Sequence, residues 1–257
     1  MFVLLSPAKR LSLSASFEGV CTIPQLLAYS TKLWGSLQTL SPQEIETLMS
    51  VSSSIAKLNY DRFQHQSLSH LTTDTDNTPP CLLMFHGDAY RHLKAEDFTP
   101  SEWEVANRCL GVLSGLYGVL RPTDCIKPYR LEMKTQLSVG KHSNLYSFWG
   151  DKVNQMIEKH MIEQQLTTII NLASNEYSAV VKQAPIAYPI IDVHFKELRH
   201  GKLKTIAVNS KRARGCMARA IIKNDWQTPE DLHAFSDDGY QWSENDSSKQ
   251  QLVFIRL

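Results

Sequence analysis

The sequence predicts an α/β protein of the mixed α+β kind: a single domain over residues 1–257, with a central mixed sheet flanked by helices. Three observations predict it. Short apolar runs of four or five residues stop at polar clusters, as buried strands do. Longer segments with apolar residues at helical spacing lie between them, in irregular alternation. The chain has 257 residues and is 42% hydrophobic, enough to bury a sizeable core.

Taken in order, residues 2–5 form an apolar run that ends at Ser6-Pro7, a strand that begins the fold. Residues 24–40 have helical periodicity. Ser41-Pro42-Gln43-Glu44 then supplies a cap, a proline at the first helical position and an acid at the third. The same grammar recurs at Thr99-Pro100-Ser101-Glu102 and at Thr228-Pro229-Glu230-Asp231. Residues 67–80 are polar and rich in breakers, hence a surface loop. Residues 81–85 read as a strand ending at His86-Gly87-Asp88. Residues 146–165 read as one helix and residues 168–172 as a strand that turns into a helix near Ala173-Ser174-Asn175-Glu176-Tyr177. Strands are expected at residues 188–195, 204–208 and 252–255. A helix over residues 209–223 carries basic residues in its first half.

Composition excludes several function classes. The formal net charge is +1, so bulk electrostatics names no nucleic-acid or membrane partner, and any basic site must be local. The five cysteines are scattered, without a CxxC pair, and read as reduced thiols of a cytoplasmic protein. The four apolar residues after Met1 are too few for a signal-peptide core, and no apolar run is long enough for a membrane span. The nine histidines show no zinc spacing, and His65 with His70 is a weak pair. No Walker loop and no G-x-G-x-x-G is present. No metal, cofactor or obligate protein partner is therefore expected.

The chemistry-bearing residues collect after the expected strands: Ser6 and Lys9, Asp88 and Tyr90, Ser174 and Glu176, Lys211 and Arg212. Were those strands parallel neighbours, the clusters would gather at the sheet edge where α/β proteins bind ligands. Residues 113–133, LSGLYGVLRPTDCIKPYRLEM, are neither helical nor alternating in pattern. Gly115 and Gly118 bracket a G-x-x-G turn whose amides could face a phosphate, as in a helix-hairpin-helix, or could simply turn the chain. Arg121 and Arg130 lie nearby, and guanidinium forks match phosphate or carboxylate. Arg130 and Glu132 share a face if the segment is extended, so they pair with each other or flank a ligand. Lys211, Arg212 and Arg214, with Arg219 beyond, would surround a helix start that attracts an anion. Ser6-Pro7-Ala8-Lys9 has S-x-x-K spacing. It follows a strand instead of opening a helix and lacks the partner motifs, so serine-hydrolase chemistry is set aside.

Together these motifs resemble the YaaA family of bacterial peroxide-stress proteins over nearly the whole chain. The resemblance rests on SPAK (residues 6–9), FHGDAY (85–90), LSGLYGVLRP (113–122), PYRLEM (128–133), FWGD (148–151), NLASNEY (171–177), SKRARG (210–215) and SSKQQLVF (247–254). Two positions depart from the pattern: His86 replaces a lysine and Gln251 an acid. The resemblance implies a cytoplasmic protein that protects against hydrogen peroxide and helps keep free iron low. It also implies DNA binding through a helix-hairpin-helix and a basic cleft.

Two functional hypotheses follow. In the first, Gly115, Gly118, Arg121, Arg130, Lys211, Arg212, Arg214 and Arg219 grip a DNA backbone without sequence preference and limit iron-driven damage. In the second, the protein is an enzyme acting on a nucleotide or damaged base. Its polar pocket would contain Ser6, Tyr90 and Ser174, with Lys9, Asp88, Glu132 and Glu176 as catalytic candidates.

Overall fold

The computed structural model describes residues 1–68, 71 and 79–257. Most of the expected loop at residues 67–80, including His70, lies outside the described residues. The chain opens with β1 (Phe2–Leu5), fully buried, and the short β2 (Arg10–Leu11). Helices α1 (Leu27–Gln38), α2 (Pro42–Met49) and α3 (Ser53–His65) follow. The Ser41 capping box starts α2 as its sequence requires: the Ser41 backbone N–H donates to Glu44 at 2.7 Å.

Residues 81–85 are not a strand. Pro80 caps a single buried turn, α4 (Cys81–Met84), and only β3 (Phe85–His86) is extended, pairing antiparallel with β2. A five-residue apolar run fits a buried helical turn as well as a buried strand, and Pro80 at its head decides for the turn. Next come α5 (Asp88–Leu93) and α6 (Pro100–Cys109), the latter with the expected Thr99–Glu102 capping box.

The hairpin at Gly115 and Gly118 joins two strands, β4 (Leu110–Ser114) and β5 (Gly118–Leu120), which corrects the helix-hairpin-helix expectation. Its tip is core. Leu116 and Tyr117 are buried, and both of their N–H groups donate to Ser114 Oγ, at 3.2 and 2.9 Å. A Cβ at Gly115 would lie 2.4 Å from the Leu131 carbonyl oxygen, and Gly118 has a φ of +73°. The glycines turn and pack the chain, and the Leu116 and Tyr117 amides are taken by Ser114.

The long helix expected at residues 146–165 is two. α7 (Leu145–Trp149) ends at Gly150, whose φ is +50°, and α8 (Lys152–Glu163) begins anew. β6 (Ile169–Asn171) and α9 (Asn175–Lys182) agree with expectation. β7 (Ile190–Arg199) runs longer and turns through His200-Gly201, both at positive φ, into β8 (Lys202–Lys204). The strand expected at residues 204–208 is therefore absent. Ala207 already opens α10 (Ala207–Lys223), whose buried face includes Ala213, Met217 and Ile221. Thr228–Asp231 starts a 3-10 helix (Pro229–Ala234), and β9 (Gln241–Trp242) and β10 (Gln251–Arg256) complete the fold.

Strand order in the main sheet is β5-β4-β1-β6-β7-β10-β9, with β8 paired to β7. β4, β1, β6, β7 and β10 are parallel, and the outer pairings with β5, β8 and β9 are antiparallel. The fold class is the predicted one, a mixed sheet with helices packed on it. From β1 the chain next joins this sheet at β4, on one side, whereas from β6 it next joins at β7, on the other. The crevice beyond the carboxyl ends of β1 and β6 is thus a topological switch point, where open α/β sheets bind ligands.

The cysteines correct one more expectation. Cys21 and Cys125 form a disulfide across 104 residues of sequence, and only Cys81, Cys109 and Cys216 are free thiols, all buried. The partners are far apart in sequence, with no spacing signal, and meet because Thr22 bridges to Asp124. Among the described residues, no helix is long and apolar enough to cross a membrane.

Candidate functional site

At the switch point lies a cavity of about 630 Å³. Residues 5–10 after β1 form one wall, and Leu172, Ser174, Glu176 and Tyr177 after β6 form the next. Residues 86–91, from β3 into α5, face Lys211 and Arg214 of α10. So the clusters at Ser6, Asp88, Ser174 and Lys211 do converge, although two of the strands expected to deliver them are helix. What brings α5 to α10 is Gly215: a Cβ there would lie 2.0 Å from the Ala89 carbonyl oxygen. Asp88 and Tyr90 flank that contact and therefore sit beside Arg214.

The floor is polar and satisfied. Ser6 Oγ accepts the Ser174 N–H at 2.8 Å and lies 3.3 Å from Ser174 Oγ. The buried Tyr90 hydroxyl donates to the Ser6 carbonyl at 2.8 Å. Burial drives its pKa well above the ordinary value, so it stays a neutral donor.

Cations and acids of the walls divide by partnership, as does the Arg130–Glu132 pair, which lies outside the lining and is joined by Lys9. Glu132 Oε1 lies 3.0 Å from Lys9 Nζ and 3.0 Å from Arg130, and its Oε2 lies 3.9 Å from Lys134 Nζ. Burial pushes its carboxyl up, but the Lys9 and Arg130 hydrogen bonds and charges outweigh that and hold it below the usual range. The Arg130–Glu132 alternative is thus resolved as an ion pair, one that also takes in Lys9. Asp88 pairs with Arg91. Glu176 lines the cavity with no ion pair among the described residues, accepting only the Lys134 N–H at 3.4 Å.

Arg214 differs from the other cations. It is half-buried; its Nε, like that of Arg130, is buried without a hydrogen-bond partner, but unlike Arg130 it pairs with no carboxylate among the described residues. Burial alone lowers its pKa. A desolvated guanidinium without a counterion is costly unless an anion completes it. Lys211 and Arg212 are exposed one turn or less away. Since α10 starts at Ala207, these cations lie past its first turn and act as charges, not as a helix start.

The remaining predicted residues lie elsewhere. Arg121 is used up on the buried Asp124, at 2.8 Å, and on the Ile23 carbonyl. Arg219 donates to the carbonyls of Leu93 and Lys94 at 3.0 and 2.9 Å and covers Phe98. Gly115 and Gly118 are core. Sequence reasoning missed Arg10, Arg91 and Tyr177 in the walls. It also missed Glu197, a buried carboxylate on β7. Glu197 accepts from Asn209 at 2.6 Å, Tyr240 at 3.1 Å, and Arg199 and Arg256 at 2.6 Å each. That node pins the first turn of α10, and with it the reach of Lys211 and Arg214. No local signal marked Glu197, because three of its four partners, Asn209, Tyr240 and Arg256, come from other segments.

The arrangement coincides with a family. Residues 1–246 match the family model described as peroxide stress protein YaaA. The chain belongs to that family. It is 39% identical to a UPF0246 protein of Legionella pneumophila (strain Corby) over the full length of both chains. It is 40% identical to UPF0246 proteins of Aliivibrio fischeri (strain MJ11) and Saccharophagus degradans. Those matches cover all of this chain and 98% and 99% of the relatives. Family membership thus extends over the whole length that builds the cavity, from Ser6 to Arg214.

Proposed function

We propose that this peroxide-stress family member binds a phosphate-bearing group in the cavity beyond β1 and β6, supplied by a nucleotide unit of DNA. The carrying observation is Arg214, a half-buried cavity residue whose buried Nε has no hydrogen-bond partner and which has no carboxylate counterion among the described residues. Phosphate matches its fork and supplies the missing charge. The exposed cations Lys9, Arg10, Arg91 and Lys211 line the cavity, Arg212 is exposed next to Lys211, and together they suit the rest of a nucleic-acid backbone. Backbone contacts of this kind carry no sequence preference. Protection would act at DNA, the target of iron-driven oxidation. The near-neutral net charge agrees with a local patch as the binding surface.

A second reading, catalysis on that nucleotide unit, is favoured by Glu176. It is a cavity carboxylate without a cationic partner, as a general base requires, whereas Glu132 and Asp88 are held in ion pairs. The test is binding of a labelled oligonucleotide across a salt series, with Lys211→Ala and Arg212→Ala beside wild type. The proposal expects salt-sensitive binding whose slope flattens by about one unit per removed phosphate contact. Salt-independent binding, or unchanged slopes in both variants, refutes the DNA-backbone role.

A further inference from the structure

The disulfide and the cavity are two ends of one covalent and ionic ring. From Lys9 the chain passes through β2 and an exposed arm, residues 12–20, to Cys21. The bond crosses to Cys125. From there residues 126–131 lead to Glu132, and the 3.0 Å Lys9–Glu132 ion pair closes the ring. A third cavity wall starts at the same place. Pro80 bridges to Cys125, and the Cys81 N–H donates to the Asp124 carbonyl at 2.8 Å, immediately before α4, β3 and the wall at residues 86–91.

The arm itself is lightly held. At one end the Ser12 N–H donates to the Met84 carbonyl at 2.8 Å. At the other, Thr22 exchanges backbone bonds with Thr123 and Cys125 at 2.9 Å each. Between them Val20 is 82% and Leu13 57% exposed, and Phe17 touches Trp103. Cys21 stands at the edge of this arm, next to Val20, but is itself buried, as is Cys125, so access to the pair requires the arm to move. Among the free thiols, burial raises the pKa of Cys109 and of Cys216 to about 12, which makes them poor nucleophiles.

We propose that Cys21 and Cys125 form a peroxide-responsive switch that sets the affinity of the cavity for its anion. This rests on the anion-site reading above. One thiolate attacks hydrogen peroxide to give a sulfenic acid and hydroxide; the second thiol displaces the sulfenic oxygen as water and forms the S–S bond. Two thiols and one peroxide thus yield one disulfide and two waters, and a cellular dithiol reverses the step. With the bond closed, the wall segments at residues 5–10 and 86–91 and the Arg130–Glu132 segment are tied at one point, and Lys9, Glu132 and Arg130 are held in register. With it open, the arm loosens and the cations lose their fixed placement, so binding weakens through lost preorganisation.

The test uses the full chain, treated with hydrogen peroxide or with dithiothreitol, and the Cys21→Ser variant. Three quantities are read: alkylatable thiols, hydrogen exchange over residues 12–20, and affinity for a nucleoside monophosphate. Support consists of two thiols lost on oxidation, slower arm exchange, and affinity about fivefold or more higher in the oxidised form. Cys21→Ser should stay in the weak, fast-exchanging state under both treatments. Reduced wild type serves the same comparison if that variant fails to fold. A disulfide that forms with arm exchange and affinity unchanged overturns the switch. Redox-dependent arm exchange with no ligand bound in either state instead overturns the anion-site reading and leaves the conformational response standing.

Discussion

Gly215 of α10 meets the Ala89 carbonyl of α5 backbone to backbone, leaving no room for a side chain. That contact sets the width of the cavity between Asp88 and Arg214. Gly215→Ala should destabilise the protein by about 1–3 kcal/mol, because backbone must move to admit the methyl group. It should also weaken anion binding. Thermal unfolding and phosphate titration on the same sample check both.

Arg214→Met should behave unlike an ordinary buried-charge deletion. No protein carboxylate is orphaned by it, so stability should stay within about 1 kcal/mol of wild type or rise. Anion affinity should fall about tenfold or more, the loss expected for a charge-assisted hydrogen bond. Denaturant unfolding and calorimetry separate the two effects.

Glu132 links the site to pH. Its folded pKa is held below the ordinary 4.5, so its ion pairs contribute stability above that value and lose it as pH falls through the folded pKa. Glu132→Gln should flatten the acid limb of the stability profile. It should also release Lys9 and Arg130 from their fixed placement, lowering anion affinity near neutral pH. A pH series of melting curves, with affinity at pH 7, tests this.

Glu197→Gln should be the most damaging single change at a polar position. It leaves Arg199 without its carboxylate and Arg256 with Asp238 alone, and it weakens the Asn209 tie to the first turn of α10. A loss of about 3 kcal/mol is expected, with the melting temperature falling roughly 6–12 °C. Unfolding curves that match wild type would dismiss the node as a support of α10.

Much of this was legible in local patterns. The run at β1, the caps at Ser41 and Thr99 and the turn into α9 carry their own chemistry, and each appears in place. Ambiguity arose where apolar residues occur without periodicity. Residues 81–85 became a helical turn under Pro80, and the His200-Gly201 turn moved the expected strand upstream, so Ala207 starts a helix. The Gly115–Gly118 turn looked like a phosphate cradle because glycine spacing does not report burial, and Ser114 takes its amides. Cavity residues near strand ends were readable. The Cys21–Cys125 bond and the Glu197 node were not, since their partners are joined only by the tertiary fold.

The central claim is that Arg214 awaits an anion. Calorimetric titration of wild type and Arg214→Met with a nucleoside monophosphate, its parent nucleoside and inorganic phosphate tests it most directly. The account predicts binding of the monophosphate and of phosphate, none of the nucleoside, and loss of both by Arg214→Met. Equal binding of nucleoside and monophosphate, or undiminished binding by Arg214→Met, would contradict it.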